Sequence, residues 1–283
     1  MKLRSYAKIN IGLRVVGKRP DGLHNIETIY HVIDLFDELS LEAANDVTVH
    51  SNIPSLDADP TNLCVRAANL LRQTYGVTDG VRMVVNKQIP LGAGLGGGSS
   101  NAAATLRGLN KLWNLAVPDE ELQRLALSLG SDVPFFIHGG TAFAQGRGEI
   151  LESLNEDNPY VIAIVSPSIH VSTAWAYGAL DLSVERNGYN LRDIFRKFLR
   201  DGTAAGLEND FERIVFARYP EIGAIKASLL NSGAIISLMS GSGASVWGFF
   251  PDDVAATAAM ARFPKSYRTF LTRPLVRHVS EVH

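Results

Sequence analysis

The feature that most constrains the fold is a run of small residues at positions 90–103, PLGAGLGGGSSNAA, in which five of seven residues from 92 to 98 are glycine. Glycine loses more backbone entropy on folding than other residues, so this density needs a compensating use. A strand-like segment precedes the run, and a helical pattern with Ser99 and Ser100 as candidate caps follows it. Because free N–H groups at a helix N-terminus bind anions, the run predicts a phosphate site. A turn needed only for tight packing is the alternative.

Two familiar nucleotide motifs fit the run poorly. Gly92, Gly94 and Gly97 satisfy the dinucleotide pattern G-x-G-x-x-G, but glycine this dense satisfies many patterns. The following segment is helix upon helix, with no acidic residue at the end of a next strand, which disfavours an NAD-dependent oxidoreductase. A Walker A loop needs lysine where Gly98 stands.

Composition excludes several classes of protein. The chain has 283 residues, enough for one large or two ordinary domains, and a net charge of −2 that disfavours nucleic acid as the main partner. Cys64 is the single cysteine, which rules out an intramolecular disulfide and predicts a cytoplasmic protein. No signal peptide, long apolar run or zinc-ligand cluster is apparent, so neither a membrane nor zinc is an expected partner.

Alternating apolar and helical segments predict a mixed α/β (α+β) fold. Residues 6–15 alternate as a half-buried strand whose polar face carries Lys8 and Asn10. Residues 62–75 and 99–114 have helical apolar spacing. The polar segment LNEDNP, at 154–159, predicts a boundary between domains 1–155 and 156–283.

The glycine run closely resembles the phosphate-binding motif of the GHMP kinases, the family of galactokinase, homoserine kinase and mevalonate kinase. Four further segments carry the similarity along the whole chain: YAKINIGLRVVGKRPDGLHNIET, TNLCVRAANLL, GSDVPFFIHGGTAFAQGRGE and SGSGASV. The resemblance implies a ribosomal-S5-like N-terminal domain, a ferredoxin-like C-terminal domain and an active-site cleft between them. It implies an ATP-dependent kinase with an alcohol acceptor, and it is strongest to the member acting on the 2-hydroxyl of 4-diphosphocytidyl-2-C-methyl-D-erythritol in non-mevalonate isoprenoid synthesis.

The resemblance assigns two catalytic residues. Phosphoryl transfer needs a cradle for ATP, neutralisation of charge and an orienter for the attacking hydroxyl. Asp132, in GSDVPFF, is the expected base or orienter, and Lys8, in AKIN, is the expected cation beside it. Taken without the family, Lys8 fits a solvated strand face and Asp132 a helix cap. Whether the pair acts by proton transfer or only by positioning stays open.

The cofactor implied is ATP with Mg²⁺, whose protein ligands the sequence does not identify. Lys87 either reaches ATP phosphates or ends an exposed strand, and Asn62 either lies near adenine or caps a helix. The predicted ATP-binding residues are Pro90, Leu91, Gly92, Ala93, Gly94, Leu95, Gly96, Gly97, Gly98, Ser99, Ser100, Asn62 and Lys87.

The expected partner is a small molecule carrying cytidine diphosphate. The resemblance puts His24 at the cytosine with Asn10 and Thr173 nearby, and Tyr177 matches an aromatic residue that stacks on the base. The family usually reads G-Y-H where this chain has Leu23 before His24, and Leu23 has no aromatic face. Either Tyr177 stacks alone, another ring such as Tyr30 compensates, or base recognition is weaker.

Three other functions compete with this interpretation. A GHMP kinase for another small alcohol is the nearest, and a non-catalytic nucleotide sensor and an RNA-binding protein built on the S5-like half are the others. The segment DGLHN speaks against the first, and the net charge with Lys8 and Asp132 against the other two. The loop SGSGAS, at 240–245, is expected to close over the active site or to be a tight hairpin.

Overall fold

Two β-sheets with helices packed against them build the molecule. The structure is a computed structural model that describes residues 1–57, 59–181 and 190–275. The predicted domain 156–283 therefore includes two segments, 182–189 and 276–283, that lie outside the described residues. The strands are β1 (Lys2–Lys18), β2 (His24–Ala44), β3 (Val47–Ser51), β4 (Gly80–Asn86), β5 (Thr141–Gln145), β6 (Ile150–Leu154), β7 (Val161–Ser166), β8 (Ile236–Met239), β9 (Val246–Phe250) and β10 (Arg268–Thr272). The helices are α1 (Leu63–Tyr75), α2 (Gly97–Leu112), α3 (Asp119–Ala126), α4 (Val133–His138), α5 (Thr173–Gly178), α6 (Leu191–Asp201), α7 (Phe211–Arg218), α8 (Pro220–Asn231) and α9 (Asp253–Met260).

The first sheet is organised around the long β1–β2 hairpin. The two strands pair antiparallel from Lys2 opposite Ser40 to Lys18 opposite His24. The other edge of β2 pairs with β4 and then β5, which gives the order β3-β4-β2-β5-β6 with β1 on β2. Helix α2 lies close to this sheet, because a Cβ at Gly108 would come within 2.6 Å of both Leu41 and Leu3.

The second sheet has the order β10-β7-β9-β8 and is antiparallel throughout. The change of sheet falls between Leu154, which ends β6, and Val161, which begins β7. The boundary between domains 1–155 and 156–283 stays a prediction. The mixed α/β class is confirmed, and in the described part of the chain no helix is long and apolar enough to cross a bilayer.

The polar face of β1 is not exposed, so the prediction of a half-buried strand is wrong about burial. Lys8 is 3% exposed and Asn10 is 2% exposed. The reason is that the glycine run, α4 and the loop at 240–245 cover this face: a Cβ at Gly96 would lie 3.2 Å from Lys8 Cγ and 2.7 Å from the Phe136 ring, and the Asn10 N–H donates to the Ser240 hydroxyl at 3.3 Å. Strand periodicity identifies two faces, but it does not tell that another part of the chain covers the polar one.

Candidate active site

A cleft of about 720 Å³ between the two sheets contains all the residues predicted to act in catalysis or to bind the acceptor. Its walls come from β1, the glycine run, the segment before α4, and α5. The predicted residues that line it are Lys8, Asn10, His24, Asp132, Thr173 and Tyr177.

Lys8 and Asp132 meet on the wall of this cleft. The Lys8 Nζ lies 3.5 Å from the Asp132 Oδ2 and donates to the Asn10 Oδ1 at 2.6 Å. Burial lowers the pKa of Lys8, and the Asp132 carboxylate opposes that shift. The alternative of a solvated lysine is therefore wrong, since the ammonium is enclosed and depends on its neighbours for its charge.

Tyr30 also contacts Lys8 and Asp132, a position that the sequence did not predict. Its hydroxyl donates to the Asp132 Oδ1 at 2.9 Å, and its ring centroid is 5.1 Å from the Lys8 Nζ. Burial first, and Asp132 second, raise the pKa of Tyr30 well above its usual value, so the hydroxyl keeps its proton. A Cβ at Gly148 would lie 2.5 Å from this hydroxyl, which explains one glycine of the GRGE segment. Tyr30 thus holds Asp132 and is not a free ring for base stacking.

Packing accounts for several glycines of the run. Gly92, Gly94 and Gly96 have φ of 58°, 80° and 72°, in the left-handed region. A Cβ at Gly94 would lie 2.0 Å from the Ser240 carbonyl oxygen, and one at Gly97 would lie 2.9 Å from Ile89. Gly98 differs, because a Cβ there would meet only Leu63, at 3.8 Å.

Helix α2 begins inside the run, so its first turn presents bare backbone N–H groups. The cap position is Gly96, without a side-chain hydrogen bond. Ser99 and Ser100 lie in the first turn of the helix, and the expectation that they cap it is wrong, because glycine at position 96 provides the left-handed entry. Of the other residues in the run, Ala93 and Leu95 are buried, Pro90 is half-buried, and Leu91 is exposed.

The loop at 240–245 is bound directly to the glycine run. The Ser240 hydroxyl donates to the Gly94 carbonyl at 2.9 Å, and the Ser245 N–H donates to the Ala93 carbonyl at 3.1 Å. Asn209 anchors the start of the loop, since its Nδ2 donates to the Met239 carbonyl at 2.7 Å and to the Gly241 carbonyl at 2.8 Å. The loop joins β8 to β9, and it meets the cleft at the glycine run.

A second cavity, of about 170 Å³, lies on the other side of the run and is lined by Asn62, Lys87 and Gly98 among others. Asn62 caps α1 by accepting a hydrogen bond from the Cys64 N–H at 2.9 Å. It therefore has the predicted capping role and also lines the cavity. Lys87 is buried, and its ammonium donates to the Asp37 carboxylate and, at 2.9 Å, to the Asn101 Oδ1. The alternative of an exposed strand end at Lys87 is therefore wrong.

A buried hydroxyl at the start of α2 lacks a hydrogen-bond partner within the described residues. No group of three or more acidic, histidine or cysteine residues suited to a metal occurs in the described ranges. Ser100 is 1% exposed, and its hydroxyl has no hydrogen-bond partner among the residues that the structure describes. A buried hydroxyl without a partner is costly, so this atom fits a ligand supplied from outside the chain.

The far end of the cleft is aromatic. The His24 and Tyr177 rings are stacked with centroids 4.9 Å apart and planes 24° from parallel. The edge of Phe211 packs on Tyr177 at 4.8 Å. Leu23 is 44% exposed, and the Thr173 hydroxyl is 3.0 Å from that of Ser242.

The family models confirm the class of protein. "GHMP kinases N terminal domain" matches residues 62–140, and "GHMP kinases C terminal" matches residues 189–269. The chain belongs to the GHMP kinase family and is an ATP-dependent small-molecule kinase.

Within the family, two similar curated relatives carry the same name. The chain is 41% identical over 276 residues to the 4-diphosphocytidyl-2-C-methyl-D-erythritol kinase of Chlorobium chlorochromatii (strain CaD3), covering 96% of each chain. It is 43% identical over 279 residues to the enzyme of that name from Chlorobium phaeovibrioides (strain DSM 265 / 1930), covering 97% of this chain and 96% of the relative. A crystal structure of 4-(cytidine 5'-diphospho)-2C-methyl-D-erythritol kinase is 34% identical, with a TM-score of 0.83 over 96% of this chain and 98% of that one. A homoserine kinase from Cytophaga hutchinsonii, 16% identical over 98% of this chain and 96% of that one with a TM-score of 0.75, shares the fold.

Proposed function

We propose that the chain transfers the γ-phosphoryl group of ATP to the 2-hydroxyl of 4-diphosphocytidyl-2-C-methyl-D-erythritol. The observation that carries the proposal is the pair of buried Lys8 and half-buried Asp132, 3.5 Å apart, in a cleft that also contains the glycine run and the stacked rings. The names of the relatives supply the identity of the acceptor.

Asp132 and Lys8 divide the chemistry between them. Asp132 accepts a hydrogen bond from the acceptor hydroxyl and takes its proton as the new O–P bond forms and the bond to the leaving ADP oxygen breaks. Lys8 balances the negative charge on the transferring group. Tyr30 restrains one carboxylate oxygen of Asp132, while the other faces Lys8.

ATP lies along the glycine run in this proposal. The N–H groups at the start of α2 bind its phosphates, and the smaller cavity beside Asn62 and Lys87 takes the adenosine part. Lys87 acts on the phosphates only through its positive charge and does not contact them, because its ammonium is already bound to Asp37. Mg²⁺ neutralises phosphate charge when bound, and Ser100 is the residue proposed to hold it.

The cytidine diphosphate end of the acceptor lies toward His24 and Tyr177. Asn10 and Thr173 line the same cleft and bind the acceptor's polar groups. Lys18 and Arg147 also line this part of the cleft and bring positive charge toward a diphosphate. A cytoplasmic setting agrees with the single free thiol, Cys64, which is buried.

Turnover with purified protein tests the proposal. ADP release and product mass are followed with ATP, Mg²⁺ and the cytidine substrate, with mevalonate and homoserine as competing acceptors. We expect phosphorylation of the cytidine substrate alone. Turnover of either competitor instead would transfer the assignment to another GHMP activity, and binding of ATP without turnover of any acceptor would favour a nucleotide sensor.

A further inference from the structure

His170 stands beside the start of the glycine run, and the mechanism derived from Lys8 and Asp132 does not use it. It lies in the segment between β7 and α5, lines the cleft and is exposed. Its imidazole forms no hydrogen bond or ion pair with another described residue. Both ring nitrogens are therefore available to a bound substrate.

The ring lies against Gly92, the first glycine of the run. Among the described residues, a Cβ added at Gly92 would meet only His170 within 4 Å, with Nδ1 at 3.2 Å and Cε1 at 3.4 Å. A Cβ at Gly94 would instead meet the Ser240 carbonyl oxygen at 2.0 Å. Gly92 is itself exposed. A group that runs along the open face of Gly92 therefore touches the imidazole.

The segment that carries His170 is anchored to the second sheet and to the loop at 240–245. The next residue, Val171, is 2% exposed. At the end of β7, the Ser166 hydroxyl accepts a hydrogen bond from the Ser245 hydroxyl at 3.1 Å. The backbone at His170 thus has a defined position, while its side chain is free to turn toward a ligand.

Gly92 lies between the two cavities that are proposed to hold the substrates. Leu91, the residue before it, lines the smaller cavity proposed for adenosine, and Gly92 itself lines the cleft. A triphosphate that joins the adenosine to the reacting hydroxyl follows the run from one cavity to the other, past Gly92. The acceptor's diphosphate is proposed to lie in another part of the cleft, near His24. The geometry therefore favours ATP over the acceptor as the ligand of His170.

We propose that His170 binds the triphosphate of ATP, with its imidazole donating a hydrogen bond to a phosphate oxygen beside Gly92. The inference rests on the proposed path of ATP along the glycine run, and it adds a ligand from the second half of the chain. An imidazole keeps at least one N–H in either charge state, so it can always donate to a phosphate. Nδ1 faces Gly92 and is the expected donor.

The two lysines near the run differ from His170 because both are bound within the protein. The Lys8 ammonium donates to Asn10, and the Lys87 ammonium donates to the Asp37 carboxylate. His170 has no such partner to give up. A hydrogen bond from its ring to a phosphate therefore adds to binding without the loss of a contact inside the protein.

Nucleotide affinities separate this role from a structural one. Kd for ATP, inhibition by adenosine and KM for the cytidine substrate are measured for His170→Ala and His170→Asn. We expect His170→Ala to weaken ATP binding roughly tenfold, and to leave adenosine inhibition and the acceptor KM within about twofold of wild type. His170→Asn keeps a donor near the place of Nδ1, so its ATP affinity should stay within about threefold.

His50→Ala is the matched control, because His50 is an exposed histidine on β3 that lines neither cavity. Its ATP affinity should equal that of wild type. Thermal unfolding of His170→Ala should also match wild type, since the ring it removes is exposed. A normal Tm together with weaker ATP binding shows a lost ligand contact in a folded protein.

Several results would overturn the inference. Unchanged ATP affinity in His170→Ala is one, and an equal loss of ATP and adenosine affinity is another, since that would indicate a displaced loop. A raised acceptor KM with unchanged ATP affinity would make His170 a ligand of the acceptor. Equal losses of ATP affinity in His170→Asn and His170→Ala would exclude a hydrogen bond from Nδ1.

Gly98→Ala distinguishes this inference from the proposal beneath it. If neither Gly98→Ala nor His170→Ala changes the affinity for ATP, the proposed path of ATP is wrong and this inference fails with it. If only Gly98→Ala weakens ATP binding, the path holds and the role of His170 alone is wrong. If wild-type protein phosphorylates a different acceptor, the proposed function fails, but the ATP affinity of His170→Ala still decides this inference.

Discussion

Replacing Gly98 with alanine separates phosphate binding from packing in the glycine run. A Cβ at this position meets only Leu63 Cδ1, at 3.8 Å, which is ordinary van der Waals contact. Gly98 is the second residue of α2, where alanine is favoured over glycine by about 0.5–1 kcal/mol. The free energy of unfolding should therefore rise by roughly that amount, and Tm by about 1–3 °C.

The same methyl group should weaken ATP binding. It stands on the exposed side of the run, beside the cavity proposed for the nucleotide. Loss of one charge-assisted hydrogen bond costs about 1.5–3 kcal/mol, so KM for ATP should rise roughly 10- to 100-fold. Thermal unfolding and initial rates at saturating acceptor measure the two effects. A more stable variant with an unchanged KM for ATP would refute the argument that Gly98 lies against a phosphate.

Gly94→Ala is the matched control. Its Cβ would lie 2.0 Å from the Ser240 carbonyl oxygen, and its φ of +80° strains any residue with a side chain. Strain of this kind alone costs on the order of 1–3 kcal/mol, so this variant should be destabilised in the absence of any nucleotide. A Gly94→Ala variant as stable as wild type would contradict the packing role of this glycine.

Three further outcomes follow from named contacts. Asp132→Asn should lower kcat by about 10²–10⁴-fold with KM for ATP nearly unchanged, and full retained kcat would rule out proton transfer to Asp132. Tyr30→Phe should lower kcat by roughly tenfold, since it removes one hydrogen bond to a charged group, whereas Tyr75→Phe, at an exposed helix end, should not; equal rates would show that the Tyr30 hydroxyl does not position the base. Burial lowers the pKa of His31 from 6.5 to about 4, so its contribution to stability is complete above pH 6.5 and is lost as the pH falls toward 4. Between pH 7.5 and 5, urea unfolding of wild type should lose about 2 kcal/mol more than that of His31→Gln, and parallel curves would exclude His31 as the cause.

Local patterns predicted the elements of this fold because each depends on neighbouring residues. The alternation along β1, the apolar spacing of α1, and the glycine run before α2 each predict a structure from one short segment. The phosphate site was predicted from the density of glycine in the run. The structure shows that packing alone requires glycine at Gly94 and Gly97, and that only some of the other glycines leave room for a ligand.

What the sequence did not reveal depends on contacts between distant segments. Lys8 resembles a solvated lysine until Gly96, Asp132 and Phe136, from distant segments of the chain, cover that face of β1. Tyr30 lies directly opposite Asn10 in the β1–β2 register, but bulges in that hairpin prevent the pairing from being counted from the turn. The partner of its hydroxyl, Asp132, comes from a third segment altogether.

The hydrogen bonds from Ser240 and Ser245 to the carbonyls of Gly94 and Ala93 mean that the proposed nucleotide cradle is assembled from both halves of the polypeptide. A chimera that joins the first 155 residues of one relative to the remainder of another would thus pair the glycine run of one protein with the β8–β9 loop of the other. Such hybrids should retain these contacts only where the β8–β9 loop and the glycine run are transferred together, so the two short segments form one unit in any exchange between relatives.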